Sequence, residues 1–383
     1  MAHKIKSTSK RIHSIDILRG LVILLMIVDH VRERFFYHHQ VTDPMDIQHT
    51  DPSLFFTRLS AHFCAPIFVF LTGLSAYLYQ NPIQKPKRDL QSFLLKRGLF
   101  LIVLEITLIN FSWFGNYQNL YLQVIWAIGL SMIVLALVLK LPKRILGIIG
   151  LLIIFGHNLL SPVEFQPGEI AFPVWTILHD RGYLLQSGIL NIKVSYPVLP
   201  WIGVIFLGYY AGMLYTNTKL AKNRHRFLLA SAFISLTFLG LLRGFNLYGE
   251  TNHWQIHSSP IESIMSFINF TKYPPSLDFL LLTLGIGCFL LYFIERFERP
   301  WMLVFKTFGS VPMFVYVSHS YILLIAYQIL NTTFGANQGA YFGVNHIAYV
   351  WLIAIALSML LYWPAKKFGT FKKRSTNRIL KYF

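Results

Sequence analysis

Arg19, Asp29 and His30 lie inside one apolar run, Ile15 to Phe36. Ionisable side chains are expensive in such a setting and usually functional. A guanidinium binds anions and an imidazole exchanges protons near neutrality, so the set offers anion binding and proton transfer. At 100° per residue, the eleven steps from Arg19 to His30 return to nearly the same helical face, roughly 16 Å further along the axis. Asp16, Arg19, His30 and Glu33 then form one polar stripe, which a simple anchor would not need. The stripe is expected to line a cavity running partway across a bilayer. The bland alternative is a polar seam between helices, because an intramembrane charge always needs a partner.

The chain that must position these groups has 383 residues, 55% of them hydrophobic and only 13% charged, which excludes a soluble globular domain. An all-α, polytopic membrane protein is expected. Windows near twenty apolar residues fall at 15–36, 55–80, 94–114, 120–140, 144–161, 197–215, 226–245, 276–295, 308–330 and 347–364, predicting ten transmembrane helices. The first is expected to persist as a span, since no small-residue cleavage site follows it. An even count puts both termini on one side. Segments 1–14, 81–97, 140–144, 216–226, 293–306 and 365–383 carry 26 of the 34 Lys and Arg, so the positive-inside rule makes that side cytoplasmic. The net charge of +18 is thereby explained by topology and contact with anionic membrane lipids, and the basic C-terminal tail at 365–383 needs no nucleic acid. With no internal repeat and no loop beyond roughly 35 residues, residues 1–383 read as a single transmembrane domain flanked by basic tails at 1–14 and 365–383.

The opposite face receives the longer loops 37–54, 162–196, 246–275 and 331–346, where substrate recognition is expected. Loop 37–54 holds His38, His39 and His49 with three aspartates, and loop 246–275 adds His253 and His257. Their spacings match no zinc pattern, so no metal is expected. Cys64 and Cys288 both lie in apolar runs and support neither a disulfide framework nor a metal site. Glu105 and Asn110 are expected to pair with Arg243.

Five segments carry a resemblance: RIHSIDILRGLVILLMIVDHV, SAHFCAPIFVFLTGLSAYLY, LPWIGVIFLGYYAGMLY, TKYPPSLDFLLLTLGIG and GSVPMFVYVSHSYILL. In this order they resemble the catalytic region of the heparan-alpha-glucosaminide N-acetyltransferase family and its bacterial relatives, across nearly the whole chain. An Arg and a His separated by ten residues on the first span, here Arg19 and His30, is also similar to a signature of bacterial integral-membrane O-acyltransferases that modify surface glycans.

The resemblance implies transfer of an acyl group, acetyl first of all, from cytoplasmic acetyl-CoA to an amine or hydroxyl of a glycan or glycolipid at the outer face of a bacterial cytoplasmic membrane. Arg19 would then neutralise a donor phosphate, and His30 would be the base that takes the acceptor's proton. Asp29, offset by about 100° from His30, is a weaker catalytic candidate. In the animal enzyme an asparagine takes the place of His30 and the proposed catalytic histidine lies in the following loop, where His38, His39 and His49 all compete for the match. His49, just ahead of span two, is the reserve base. His62 and Asp278 are substrate-binding candidates, with a buried core histidine as the plain reading of His62. His319 would contact the pantetheine arm and Lys306 a second phosphate. The rival class is a transporter or flippase for a small or lipid-linked sugar, in which the same residues bind substrate or relay protons. A third reading is a noncatalytic protein that binds a lipid-linked sugar. The acceptor and the oligomeric state stay open.

Overall fold

A computed structural model describes residues 12–82, 86–297, 299–377, 380 and 382–383. Residues 1–11 of the N-terminal basic segment, with Lys85, Arg378 and Lys381 of the other basic segments, lie outside the described residues. Helix makes up 69% of the structure and strand 5%, so the helical reading holds with one small sheet as its exception.

Among the described residues, seven helices are long and apolar enough to cross a membrane: Pro52–Gln80, Lys143–Leu160, Leu199–Thr216, Arg224–Gly244, Leu277–Arg296, Pro312–Phe334 and Ile347–Arg374. They occupy seven of the ten windows read from the sequence. The other three windows are helical but fail on charge or length. The first helix, His13–Phe35, is long enough at 23 residues, but it carries Asp16, Arg19, Asp29, Arg32, Glu33 and Arg34. Helix Val124–Val138 has 15 residues, about 22 Å against a hydrocarbon core of about 30 Å. Helix Leu90–Leu104 is equally short and continues through a π-helical turn, Glu105–Ile109, into Asn110–Phe114.

Local chemistry sets where the helices start. The Asp51 side chain accepts from the Ser53 amide ahead of Pro52, and Ser276 accepts from the Phe279 amide at the head of Leu277–Arg296. Asp89 does the same for Ser92 at the start of Leu90–Leu104.

The charged first helix is tolerated because the bundle encloses it: Ile17, Ile23, Ile27 and Val31 are at most 2% exposed. Small residues allow close crossings. A Cβ on Gly20 would collide with the Phe305 carbonyl and one on Gly309 with the Asp16 carbonyl, so the first helix and helix Leu303–Ser310 meet backbone to backbone. Gly73 and Gly208 make the same kind of crossing between Cys64–Gln80 and Leu199–Ala211.

Several of the basic segments converge at one end of the bundle. Glu295 accepts there from Ser14 Oγ at 3.1 Å, Tyr215 Oη at 2.9 Å and Arg224 Nε at 2.7 Å. Lys143 Nζ donates to Tyr77 Oη at 3.2 Å at the same end. The long loops meet at the other end. The Asn269 amide holds both the N–H and the carbonyl of Met45, at 3.0 and 2.6 Å, and the Val344 amide donates to the Phe35 carbonyl at 2.8 Å.

The sheet also belongs to these loops. Strands β1 (Asn119–Leu122), β2 (Gly182–Gln186) and β3 (Asn191–Val194) run in the order β1-β3-β2, with β1 parallel and β2 antiparallel to β3. Strands of four or five residues are too short to display an alternating pattern, so the sequence reads β2 and β3 as part of loop 162–196 and most of β1 as the start of window 120–140.

Candidate active site

A cavity of about 720 Å³ follows the inner face of the first helix from Asp16 to His30, a path of about 21 Å at 1.5 Å per residue. Arg19, Arg88, Arg97 and Lys372 line it, and so do Asp29, His30, Tyr196, Lys272 and Tyr316. Three of the four members of the expected polar stripe thus share one cavity wall with Asp29. The fourth, Glu33, is partly exposed and accepts from Arg32 at 3.2 Å.

Arg19 is fixed by three helices. Its guanidinium donates to Asp16 at 2.9 Å, to the Gly309 carbonyl at 3.1 Å and to Ser75 Oγ at 2.9 Å. The Gly20–Gly309 crossing brings that carbonyl within reach. Arg88 lies over the Tyr79 ring at 5.0 Å and Arg97 over Phe93 at 5.9 Å. The buried Nε of Arg97 has no hydrogen-bond partner.

His30 meets His319 of helix Pro312–Phe334, with Nδ1 to Nε2 at 2.6 Å and the rings stacked at 4.9 Å. His319 Nδ1 lies 2.8 Å from the Val315 carbonyl, which can only accept, so Nδ1 carries the proton. In a neutral His319, Nε2 must then accept, and His30 must donate from its own Nδ1. The lone pair of His30 therefore sits on Nε2. Trp113 and Tyr316 hold the His30 ring edge-on at 4.8 and 5.7 Å. A neutral imidazole with its tautomer assigned, set in a cavity wall, is equipped to accept a proton.

Asp29 is clamped. Arg32 Nη2 lies 2.9 Å from Oδ1 and Arg58 Nη1 lies 2.7 Å from Oδ2, with all three side chains buried. Of the other residues singled out in the sequence, His319 is buried behind His30 and is its partner. His62 is 1% exposed, packs against Phe279 and leaves Nδ1 unpartnered, but it does not line the cavity. Asp278 is buried near Gly249 with Oδ1 unpartnered, also outside the lining. Lys306 Nζ meets His13 Nε2 at 3.0 Å. The His49 side chain is 80% exposed and bonds Asp46 at 2.7 Å, which holds the Asp46 carboxyl below its usual range. The expected Glu105–Arg243 pairing is absent: Glu105 accepts from the Trp126 amide, and Arg243 is spent on the carbonyls of Asn252, Ser266, Phe267 and Asn269. Among the described residues no group of three or more His, Cys, Asp or Glu could hold a metal ion.

Lys272, Arg58, Arg88, Arg97 and Lys372 were not singled out in the sequence. Lys272 carried a usable signal, being the sole basic residue of loop 246–275 on the face where Lys and Arg are scarce. Arg58 carried another as a cation near the start of an apolar span.

The site is a deep cavity in a helical membrane protein, with cationic side chains along it and His30 backed by the buried His319; the family match places it in the class of membrane-embedded transferases. The chain is a member of the heparan-alpha-glucosaminide N-acetyltransferase catalytic family, whose sequence profile matches residues 11–242. That span includes Arg19 and His30 and ends before Lys272 and His319. No match was found among curated proteins. Family membership implies a membrane-bound acetyltransferase.

Proposed function

We propose that the protein transfers an acetyl group from acetyl-CoA, bound at the cytoplasmic mouth of the cavity, to an amine or hydroxyl of a glycan or glycolipid that enters from the opposite face. The observation that carries this reading is that one cavity joins Arg19, Arg88, Arg97 and Lys372 to His30, whose Nδ1 is engaged by His319. Guanidinium groups suit the donor's phosphates, and a cavity of about 21 Å along the first helix suits an extended thioester arm. In this reading all ten helical windows cross the bacterial inner membrane, both termini are cytoplasmic, and residues 1–383 work as one domain. The clustering of basic segments at one end of the bundle supports that orientation.

The chemistry follows from the histidine pair. The acceptor nitrogen or oxygen attacks the thioester carbon while His30 Nε2 takes its proton, and the carbonyl π pair moves to oxygen. Collapse of the tetrahedral species restores the carbonyl and breaks the C–S bond. The departing thiolate takes the proton from His30. His319 keeps the His30 Nδ1–H bond throughout and so holds the ring at one angle.

The test is release of free coenzyme A by purified protein with acetyl-CoA and a panel of amino sugars, in parallel with His30→Ala and His49→Ala. The expected result is turnover lost in His30→Ala, by about 10²–10⁴-fold for a general base, and kept in His49→Ala. Sugar movement across vesicles without donor consumption would replace this reading with a transporter.

A further inference from the structure

Lys272 presents a positive charge in the cavity that no ion pair holds. It is 4% exposed, and the surface it keeps belongs to the cavity wall that also includes His30. Its backbone amide is tied to the Asp43 carboxylate at 3.2 and 3.4 Å, which pins the residue to loop 37–54. Its ammonium lies 5.2 Å from the centre of the Tyr273 ring. Among the described residues no carboxylate lies within ion-pair distance of Nζ, and Nζ makes no hydrogen bond. Of the carboxylates in the same wall, Asp29 is already taken by Arg32 and Arg58, and Asp16 by Arg19.

A buried ammonium outside any ion pair is costly, and the nearby Asp43 carboxylate and Tyr273 ring offset that cost without neutralising the charge by direct contact. Packing gives no reason to keep it there. A role in the reaction would. Acyl transfer generates one negative charge that exists only in passing, on the former carbonyl oxygen of the thioester, and it arises where His30 works. A fixed cation in the same cavity wall is suited to stabilise that transition-state charge without gripping the ground state. We infer that Lys272 is a catalytic residue that stabilises the oxyanion of the tetrahedral intermediate. It keeps its proton throughout; the proton that moves travels from the acceptor to His30 and then to the thiolate. The inference rests on the acyl-transfer reading given above.

The experiment uses the full chain in detergent with acetyl-CoA and the amino-sugar panel. Wild-type protein that releases no coenzyme A sinks the acyl-transfer reading and this inference with it. Given wild-type turnover, Lys272→Met is expected to lower kcat by about 10²–10³-fold, with KM for donor and acceptor unchanged within about threefold. A kcat close to wild type would overturn the inference, and so would a raised acceptor KM at unchanged kcat, which would make Lys272 a binding site for an anionic acceptor. Lys272→Cys covers the case in which the methionine variant fails to fold. Alkylation with 2-bromoethylamine rebuilds an ammonium at nearly the native length, and kcat should rise at least tenfold, with treated wild type as the control for Cys64 and Cys288. Failure of alkylation to raise kcat also counts against the role.

Discussion

The two carboxylate and imidazole neighbours at positions 29 and 30 have opposite fates, and their environments explain why. Asp29 faces two buried guanidinium groups, so its charge is consumed in holding Arg32 and Arg58. Removing one partner from a buried ion pair leaves uncompensated charge and costs about 3–5 kcal/mol. Asp29→Asn should therefore show itself as a lower unfolding temperature in detergent; a stable variant with slow turnover would return Asp29 to catalysis. His30 has one nitrogen engaged by His319 and, in the proposed reaction, uses the other as the base. His319→Ala should reduce kcat by about 10²-fold, at the low end for loss of a general base, while donor KM holds. His319→Asn, whose side-chain oxygen can accept the same N–H, should recover part of the loss, and equal damage in both variants would argue against an orienting role. The stripe that contains His30 was legible because helical periodicity is local. The His30–His319 contact was not, since it joins residues 289 apart through the crossing of two helices. His319 was visible as a polar residue in an apolar span, but its partner could not be read from spacing.

At the scale of the elements, close crossings decide how deep the functional side chains sit. Gly20 and Gly309 hold the first helix against Leu303–Ser310, and that contact supplies the carbonyl that receives Arg19. Gly309→Ala should cost at least about 1–3 kcal/mol, the usual range for overpacking, and should lower donor affinity as Arg19 is displaced. Thermal unfolding and a donor-binding isotherm would check both; unchanged values would mean the crossing can relax. The start of Pro52–Gln80 depends on a milder device. Hydrogen bonds from the Ser53 hydroxyl and amide hold the Asp51 carboxyl below its ordinary value. A depressed carboxylate contributes its full stabilisation above the unfolded-state value of about 3.9, and the contribution fades as pH falls through the lower folded value. Asp51→Ala should cost about 0.5–2 kcal/mol at neutral pH, and the difference from wild type should shrink in acid. Hydropathy located the seven long apolar helices, because a long apolar run identifies itself; the other three windows are helical but charged or short. The kinds of interruption were hidden: a π turn at Glu105–Ile109 and a 3₁₀ turn at Ala61–Phe63 depend on contacts with neighbouring helices, which no single window contains.

For the molecule as a whole, the separation of chemistry between its two ends is the main organising fact. One end gathers cations and the other gathers long loops and a sheet, with the cavity between. Single cysteines test the orientation that follows. Ser187→Cys, in the exposed turn between β2 and β3, should react with an impermeant maleimide on intact cells, whereas Thr376→Cys should react only after permeabilisation. The reverse pattern would invert the topology and put the donor mouth on the wrong side.

The histidine pair has one more consequence, which concerns time. His30 is synthesised 289 residues ahead of His319, and most of the described helices are made in between. Until then His30 Nδ1 lacks the acceptor that assigns its tautomer, and Lys272 also remains to be placed in the wall. A nascent chain halted at residue 242 would include every position of the family match and still lack half of the pair. If His30 is the base proposed above, its free nitrogen is assigned only once the helix that carries His319 is in place.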